Sequence, residues 1–125
     1  MDQASGVFGE EAFHQLLTRE ASRATRYQDF FSVCLVRPDE TEHEPDEAMQ
    51  QAVARKITQV LRSTDVVARL RDDIAILLLD TPDAHAARVA ERIRAQTGSN
   101  PFQADPSTAG RRVTLSMGLV SFPRD

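Results

Sequence analysis

The sequence predicts an α+β fold in which helices pack against a largely antiparallel sheet. Apolar segments alternate between helical spacing and short continuous runs, in the order α, β, α, β, β, α, β. Two of these runs are separated only by a short charged turn, which is typical of a β-hairpin. The chain has 125 residues, 41% of them hydrophobic, which suffices for one domain with its own core.

The first helix and the first strand are predicted from the N-terminal third of the chain. Apolar residues recur at helical spacing across residues 8–28, and they are Phe13, Leu16, Leu17, Ala21 and Ala24. Residues 30–36 are rich in aromatic and β-branched side chains, which favours a buried strand. We expect Arg37-Pro38 to end this strand, because proline cannot donate a hydrogen bond to a neighbouring strand.

A second helix and a hairpin are predicted next. Helical spacing of apolar residues across positions 49–61 indicates the helix. Residues 66–70 and 74–79 are short apolar runs that flank the charged turn Arg71-Asp72-Asp73, so they predict the two strands of the hairpin.

The last helix and the last strand complete the pattern. Thr81-Pro82-Asp83 is typical of a helix start, with a hydroxyl N-cap and proline at the first position. This helix is predicted to run to Thr97, with Gly98 closing it. The final strand is predicted over residues 113–120.

Composition limits the class of protein. The net charge of −4 argues against a duplex nucleic-acid partner. Cys34 is the single cysteine, so an internal disulfide is excluded and a core position is expected. No segment reaches the roughly 18 apolar residues of a membrane span, and residues 1–11 are too polar for a signal peptide. We therefore expect a cytoplasmic protein with no membrane or nucleic-acid partner.

Five segments, in matching order, resemble the GGDEF (diguanylate cyclase-type) domain family. They are residues 5–8, 62–70, 75–81, 87–94 and 113–119, the last being similar to the family's V-T-x-S-x-G-x strand. The resemblance spans residues 5–122, so we expect a single GGDEF-like domain over residues 1–125. The family's C-terminal A-D-x-A-L-Y-x-A-K helix has no counterpart here.

This resemblance implies a nucleotidyl-cyclase-like fold, a ferredoxin-like palm sandwich. It also implies, for active members, the condensation of two GTP molecules into cyclic di-GMP by two facing monomers. Such phosphoryl transfer needs metal ions held by carboxylates. It also needs a glycine turn, because only glycine lets the backbone approach the phosphates closely.

The sequence departs from the family pattern in each part of that site. Arg37-Pro38-Asp39 stands where the family has a D-x-D metal pair, and residues 40–45 replace the stretch that supplies a guanine-binding asparagine. The signature turn reads Arg71-Asp72-Asp73-Ile74 and has neither glycine. The histidines also lack the spacing of metal ligands. We therefore expect a degenerate domain with no catalytic residue, no metal and no resident cofactor.

Two alignments of the signature turn stay open. Counting from Arg62, Asp73 takes the place of the metal-binding acid and Ile74 that of the second acid. Counting back from Thr81, Asp72-Asp73 replace the acid pair. In both alignments the two aspartates are also ordinary polar turn residues. The acidic residues 39–46 could likewise form a cation site, but they are more typical of a solvated loop before a helix.

A product-binding site is where function could be retained. The resemblance implies an inhibitory R-x-x-D site for cyclic di-GMP five residues before the signature, completed by an arginine of the next helix. Arg62, Asp65 and Arg92 match it. Guanidinium groups can pair with phosphate or with guanine O6 and N7. However, R-x-x-D recurs at residues 26–29 and 69–72, and Arg62 could instead complement a helix C-terminus while Asp65 starts a turn.

Two functions from different classes follow. The first is a catalytically inactive receptor that binds cyclic di-GMP and passes the signal to a protein partner or a second copy of itself. The alternative is a nucleotide-independent protein-interaction or dimerisation module. A third hypothesis is GTP binding without turnover, in which Arg37 would face the triphosphate, but the missing guanine contact argues against it.

Overall fold

The elements follow the predicted order. A computed structural model describes residues 7–27, 29–39, 47–99 and 114–122. Within these ranges the elements are α1 (Glu10–Tyr27), β1 (Phe31–Asp39), α2 (Glu47–Val60), β2 (Val66–Arg69), β3 (Ile74–Leu79), α3 (Asp83–Ser99) and β4 (Thr114–Phe122). The α+β class is confirmed. Helix α3 continues through Gly98 to Ser99, so the prediction that Gly98 closes it was wrong by two residues, a common displacement at a helix end.

The strands form one antiparallel sheet in the order β2-β3-β1-β4. Strand β1 lies inside the sheet and pairs with β3 on one side and with β4 on the other. The predicted hairpin is confirmed, because β2 and β3 pair antiparallel from Val66↔Leu77 to Arg69↔Ile74. The charged turn connects the two strands at one end of this hairpin. At the other end, the chain enters β2 from the end of α2 and leaves β3 toward the start of α3.

Strand β1 extends past the proline that was expected to end it. It continues through Arg37 and Pro38 to Asp39, so that prediction was wrong. The register with β3 stops at Val36, whereas the register with β4 continues to Asp39. Beyond Val36 the strand has a neighbour on its β4 side alone. Proline, which lacks a backbone N–H, is tolerated where one side of a strand has no partner. Arg37 therefore projects from a strand rather than from a loop.

Helices cover both faces of the sheet, because successive strand residues point to opposite sides. The face under α2 and α3 packs the larger core cluster, which includes Cys34, Val36, Met49, Val53, Ile57, Ile76, Leu78 and Ile93. The face under α1 packs a second cluster, which includes Phe13, Ala24, Phe31, Ala75 and Leu77. In the part of the chain that the structure describes, no helix is long and apolar enough to cross a membrane.

Phe8 is not helical, although the first helix was predicted to begin there. Its N–H donates to Val67 O at 2.8 Å, and its carbonyl accepts from Arg69 N–H at 2.9 Å. These bonds form a parallel bridge between Phe8 and Ala68, on the side of β2 that β3 does not use. Helix α1 begins two residues later, at Glu10. The hairpin is consequently held from both sides.

Candidate functional site

Two charged clusters lie at opposite ends of the β2–β3 hairpin. We call the first the signature turn, which comprises Arg37, Arg71, Asp72 and Asp73. We call the second the α3 pocket. The four residues of β2 separate the clusters by roughly 13 Å at the usual rise of a strand.

The α3 pocket is a cavity of about 60 Å³ between the end of α2 and the first half of α3. It is lined by Val60, Leu61, Arg62, Asp65, Thr81, His85, Val89 and Arg92. The three residues predicted to bind a ligand, Arg62, Asp65 and Arg92, therefore meet at one place. The cavity is too small to enclose a nucleotide, so a ligand of that size would lie across its mouth.

Arg62 and Asp65 contact each other directly. Arg62 Nη2 donates to Asp65 Oδ1 at 3.1 Å, and Arg62 Nε donates to Oδ2 at 3.4 Å. The backbone N–H of Arg62 also donates to Oδ2 at 3.1 Å, and Asp65 N–H donates to Arg62 O at 3.1 Å. The side chain of Asp65 is 3% exposed, against 55% for Arg62. In this state the carboxylate orients Arg62 rather than presenting an acceptor to a guanine.

Arg62 also ties the α2–β2 connection to the end of β3. Its Nη2 donates to Leu79 O at 2.9 Å and to Thr81 Oγ1 at 3.0 Å. The Thr81 hydroxyl donates to Leu79 O at 2.8 Å, so the prediction that it caps α3 was wrong. The carbonyl of Pro82 accepts the first helical bond instead, from Ala86 N–H at 2.9 Å. Thr81 belongs to the pocket, because its hydroxyl oxygen accepts from Arg62 while its O–H donates to Leu79 O.

Arg92 and His85 line the solvent side of the pocket and are exposed. Positions 85, 89 and 92 share one face of α3, because they are four and seven residues apart. Arg88 is exposed and is not among the lining residues, but it is three residues from His85 and four from Arg92, so it borders the same face of the helix. His85 was not predicted as a site residue, since a single histidine without ligand spacing carries no sequence signal.

The three R-x-x-D segments behave differently. Asp29 accepts from Arg23 Nη1 at 2.7 Å, and Arg69 contacts Gln50 at 3.2 Å and Glu47 at 3.5 Å. Among the described residues, the segment at 62–65 is the one whose arginine and aspartate pair with each other. Position in the fold therefore distinguishes it from the other two, which their sequences alone could not do.

At the signature turn, Arg37 and Asp73 form a two-pronged ion pair. Arg37 Nε donates to Asp73 Oδ1 at 2.8 Å, and Nη2 donates to Oδ2 at 3.3 Å. The antiparallel register explains this, because Val36 pairs with Ile74 and the next pair of positions is 37 and 73. The side chains are 57% and 29% exposed. The hydrogen bond that Arg37 donates to Asp73, and then the negative charge of Asp73, raise the pKa of Arg37.

Gln50 of α2 holds the same turn from the other side. Its Nε2 donates to Leu70 O at 3.3 Å and to Asp73 O at 3.2 Å, while its Oε1 accepts from Arg69 Nη2 at 3.2 Å. Leu70 N–H closes the turn by donating to Asp73 O at 2.8 Å. The sequence carries no signal for this role of Gln50, because one glutamine on a helix matches no motif.

A divalent metal does not fit the signature turn in this arrangement. Mg²⁺ is held by oxygen ligands, and both oxygens of Asp73 already accept from Arg37. Within the described ranges, no group of three or more His, Cys, Asp or Glu side chains is arranged to hold a metal ion. The acidic residues 40–46, the stretch expected to replace the guanine-binding asparagine, and residues 5 and 6 lie outside the described residues.

Known proteins share this chain's sequence pattern and fold. A family model described as "Diguanylate cyclase, GGDEF domain" matches residues 1–125. The cyclic di-GMP phosphodiesterase NbdA of Pseudomonas aeruginosa is 30% identical over 87 residues, which make up 70% of this chain and 11% of NbdA. The chain thus spans about a tenth of that relative.

Two solved structures illustrate the likeness in fold. The GGDEF domain of YfiN (TpbB) from Pseudomonas aeruginosa superposes with a TM-score of 0.81 at 23% identity, covering 98% of this chain and 75% of that one. The coiled coil and GGDEF domain of DgcB from Caulobacter crescentus, solved in complex with c-di-GMP, superposes with a TM-score of 0.76 at 16% identity. That match covers 97% of this chain and 68% of the DgcB chain.

Proposed function

The chain belongs to the GGDEF domain family, and we propose that it is a receptor that binds cyclic di-GMP at the α3 pocket without synthesising it. One observation carries the proposal: Arg62 and Asp65, from the α2–β2 connection, line the same cavity as Arg92, from α3. Proteins that resemble this chain handle the same ligand, since NbdA is a cyclic di-GMP phosphodiesterase and DgcB was solved with c-di-GMP.

The chemistry of the pocket suits such a ligand. Cyclic di-GMP carries two phosphates and two guanines, and a guanidinium pairs with either phosphate oxygens or guanine O6 and N7. Asp65 holds the Arg62 guanidinium in one orientation, which lowers the entropy cost of a bidentate contact. Val60, Leu61 and Val89 supply an apolar wall against which a base can lie.

Binding at this position has a route to the rest of the domain. Arg62 bridges the α2–β2 connection to Leu79 O and Thr81 Oγ1, at the end of β3. A ligand that competes for Arg62 weakens these bonds and changes how α3 meets the hairpin. In this proposal, that change is what a protein partner or a second copy of the domain detects.

The binding test is a calorimetric titration of the purified chain with cyclic di-GMP. We expect micromolar affinity, and we expect Arg62→Ala or Arg92→Ala to weaken it by about tenfold or more, as loss of a hydrogen bond to a charged group does. Arg94→Ala is the matched control, since Arg94 is an exposed arginine of the same helix whose position, two residues from Arg92, places it on a different face from the pocket, and its affinity should be unchanged. No binding, or equal binding by all variants, would contradict the receptor.

The absence of synthesis is tested separately. Arg71-Asp72-Asp73-Ile74 has no glycine, and Asp73 is paired with Arg37, so we expect no turnover of GTP with Mg²⁺ or Mn²⁺. Chromatography of the reaction should show no cyclic di-GMP above the background of a protein-free sample. Product that disappears in Asp73→Ala would show a working active site.

One observation favours the alternative, a nucleotide-independent interaction module. The Asp65 carboxylate is 3% exposed and Arg62 bonds to Leu79 O and Thr81 Oγ1, so internal contacts alone explain these residues. The module predicts no binding of cyclic di-GMP together with a dimer or a captured protein partner. Sedimentation that finds a monomer at every concentration, with no partner in pull-downs, would count against the module.

A further inference from the structure

We infer that the Arg37 guanidinium is a built-in counter-ion that fixes the signature turn, so that the geometry of this turn does not depend on a divalent cation. The signature turn is at the end of the hairpin away from the α3 pocket, so this role of Arg37 is separate from ligand binding there. The side chains present at the turn do not fit the metal that the family implies.

The backbone under Arg37 is held by β4, because Arg37 pairs with Ser116 in that register. The arginine therefore projects from a fixed strand, opposite the turn. A guanidinium matches the two oxygens of a carboxylate as a planar fork, which sets orientation as well as distance. The contacts at 2.8 and 3.3 Å show this two-pronged arrangement with Asp73.

Asp73 is held at its backbone as well as at its side chain. Its carbonyl accepts from Leu70 N–H at 2.8 Å and from Gln50 Nε2 at 3.2 Å. Arg37 of β1 thus holds the side chain of Asp73, and Gln50 of α2 holds its backbone carbonyl. The turn needs no further ligand to keep its shape.

The charge balance of the signature turn also disfavours a metal. Its four residues carry two positive and two negative charges, and the Asp73 carboxylate is neutralised by direct contact. A divalent cation would have to displace a cation that the fold keeps in place, and would be repelled by Arg71 as well. Arg37→Asp would leave one positive and three negative charges, which is a set that a hard cation can use.

The first test titrates Mn²⁺ alone into the purified chain and follows free Mn²⁺ by electron paramagnetic resonance. We expect no Asp73-dependent binding by the wild type, and at least about tenfold tighter binding by Arg37→Asp. Arg71→Asp makes the same change of charge in the same turn and is the matched control, with no comparable gain. Mn²⁺ binding by the wild type that Asp73→Ala abolishes would overturn the inference, as would equal gains in both variants or no gain in Arg37→Asp.

The second test measures hydrogen exchange of the Leu70 amide, which donates to Asp73 O. Arg37→Met removes the charge and keeps the stem, so we expect this amide to exchange several-fold faster. Arg71→Met should leave it unchanged, and a chelator should have no effect on the wild type. Equal exchange in Arg37→Met and wild type would overturn the inference, and so would a chelator effect.

Discussion

The two ends of the β2–β3 hairpin carry the same kind of ion pair in different surroundings. At the α3 pocket the Asp65 side chain is 3% exposed, whereas at the signature turn the Asp73 side chain is 29% exposed. A carboxylate that is shielded from water depends on its partners, because leaving it unpaired is costly. An exposed pair is screened by water and contributes little to stability. We therefore expect the buried Asp65 to contribute to the stability of the whole domain, and the more exposed Asp73 to fix only the local geometry of its turn. Both acids form an ion pair, so their burial makes the difference.

The difference in burial between these acids decides which residues suit a test of the proposed receptor. Variants of Asp65 are expected to lose stability, which would obscure any effect on binding, because its carboxylate closes the turn at residues 62–65. Arg92 is exposed and belongs to the pocket without bridging elements among the described residues. Its substitution is expected to affect ligand binding without loss of stability, so it is the better variant for the binding test, with Arg94→Ala as its control.

The largest expected effect is on Asp65. Asp65→Ala removes the acceptor for the Arg62 backbone N–H and for its guanidinium, so we expect a loss of about 2–3 kcal/mol in unfolding free energy. Urea unfolding followed by circular dichroism measures this. Asp72→Ala is the control, because Asp72 is exposed at the other end of the hairpin and should change stability by less than about 0.5 kcal/mol. Equal losses would break the comparison.

Burial also affects the Cys34 thiol, which is neutral in the folded protein. Cys34 is 1% exposed in the core under α2 and α3, and burial raises the pKa of its thiol to about 11. The unfolded chain ionises first, near pH 9, so the folded state loses stability as the pH rises from 9 to 11. We expect a loss of roughly 2 kcal/mol across that window.

The measurement for Cys34 is urea unfolding at pH 8.5 and again at pH 10.5. Cys34→Ala should be less stable at pH 8.5 but should lose less on going to pH 10.5, because it has no thiol to ionise. The same dependence on pH in wild type and variant would show that other groups titrate there and that the buried thiol does not govern the change.

The smallest expected effect is on Gln50, which contacts the backbone of the signature turn, whereas Arg37 contacts the side chain of Asp73. Gln50→Ala removes two donors to the carbonyls of Leu70 and Asp73, so we expect a loss of about 1 kcal/mol. Gln51→Ala, at the next position of α2, is the control, because no hydrogen bond from Gln51 to the hairpin is found among the described residues. Thermal unfolding followed by circular dichroism compares them. Equal unfolding midpoints for the two variants would show that the hydrogen bonds of Gln50 do not stabilise the turn.

Local patterns predicted most of the fold. The order of the elements, the hairpin and the bounds of β3 at residues 74–79 followed from spacing and from the charged turn, because these signals act between near neighbours. The resemblance to the GGDEF family, which is confirmed, grouped Arg62, Asp65 and Arg92, and the structure places these three residues around one cavity. The predicted end of β1 was wrong, because Pro38 can belong to a strand that has a neighbour on one side only. Which side of β1 has a neighbour at this point depends on the position of β4 in the sheet.

By itself, the sequence determined the α+β class, the family and the position of the charged turn Arg71-Asp72-Asp73, since these depend on the order of residue types. Only the tertiary structure decided what those residues contact. It paired Arg37 with Asp73 across two strands, enlisted Gln50 and Thr81, and buried the carboxylate of Asp65 while leaving Arg62 exposed. The physical reason is that hydrogen bonds and burial depend on distance in space, and residues far apart along the chain meet only when the sheet and its helices assemble.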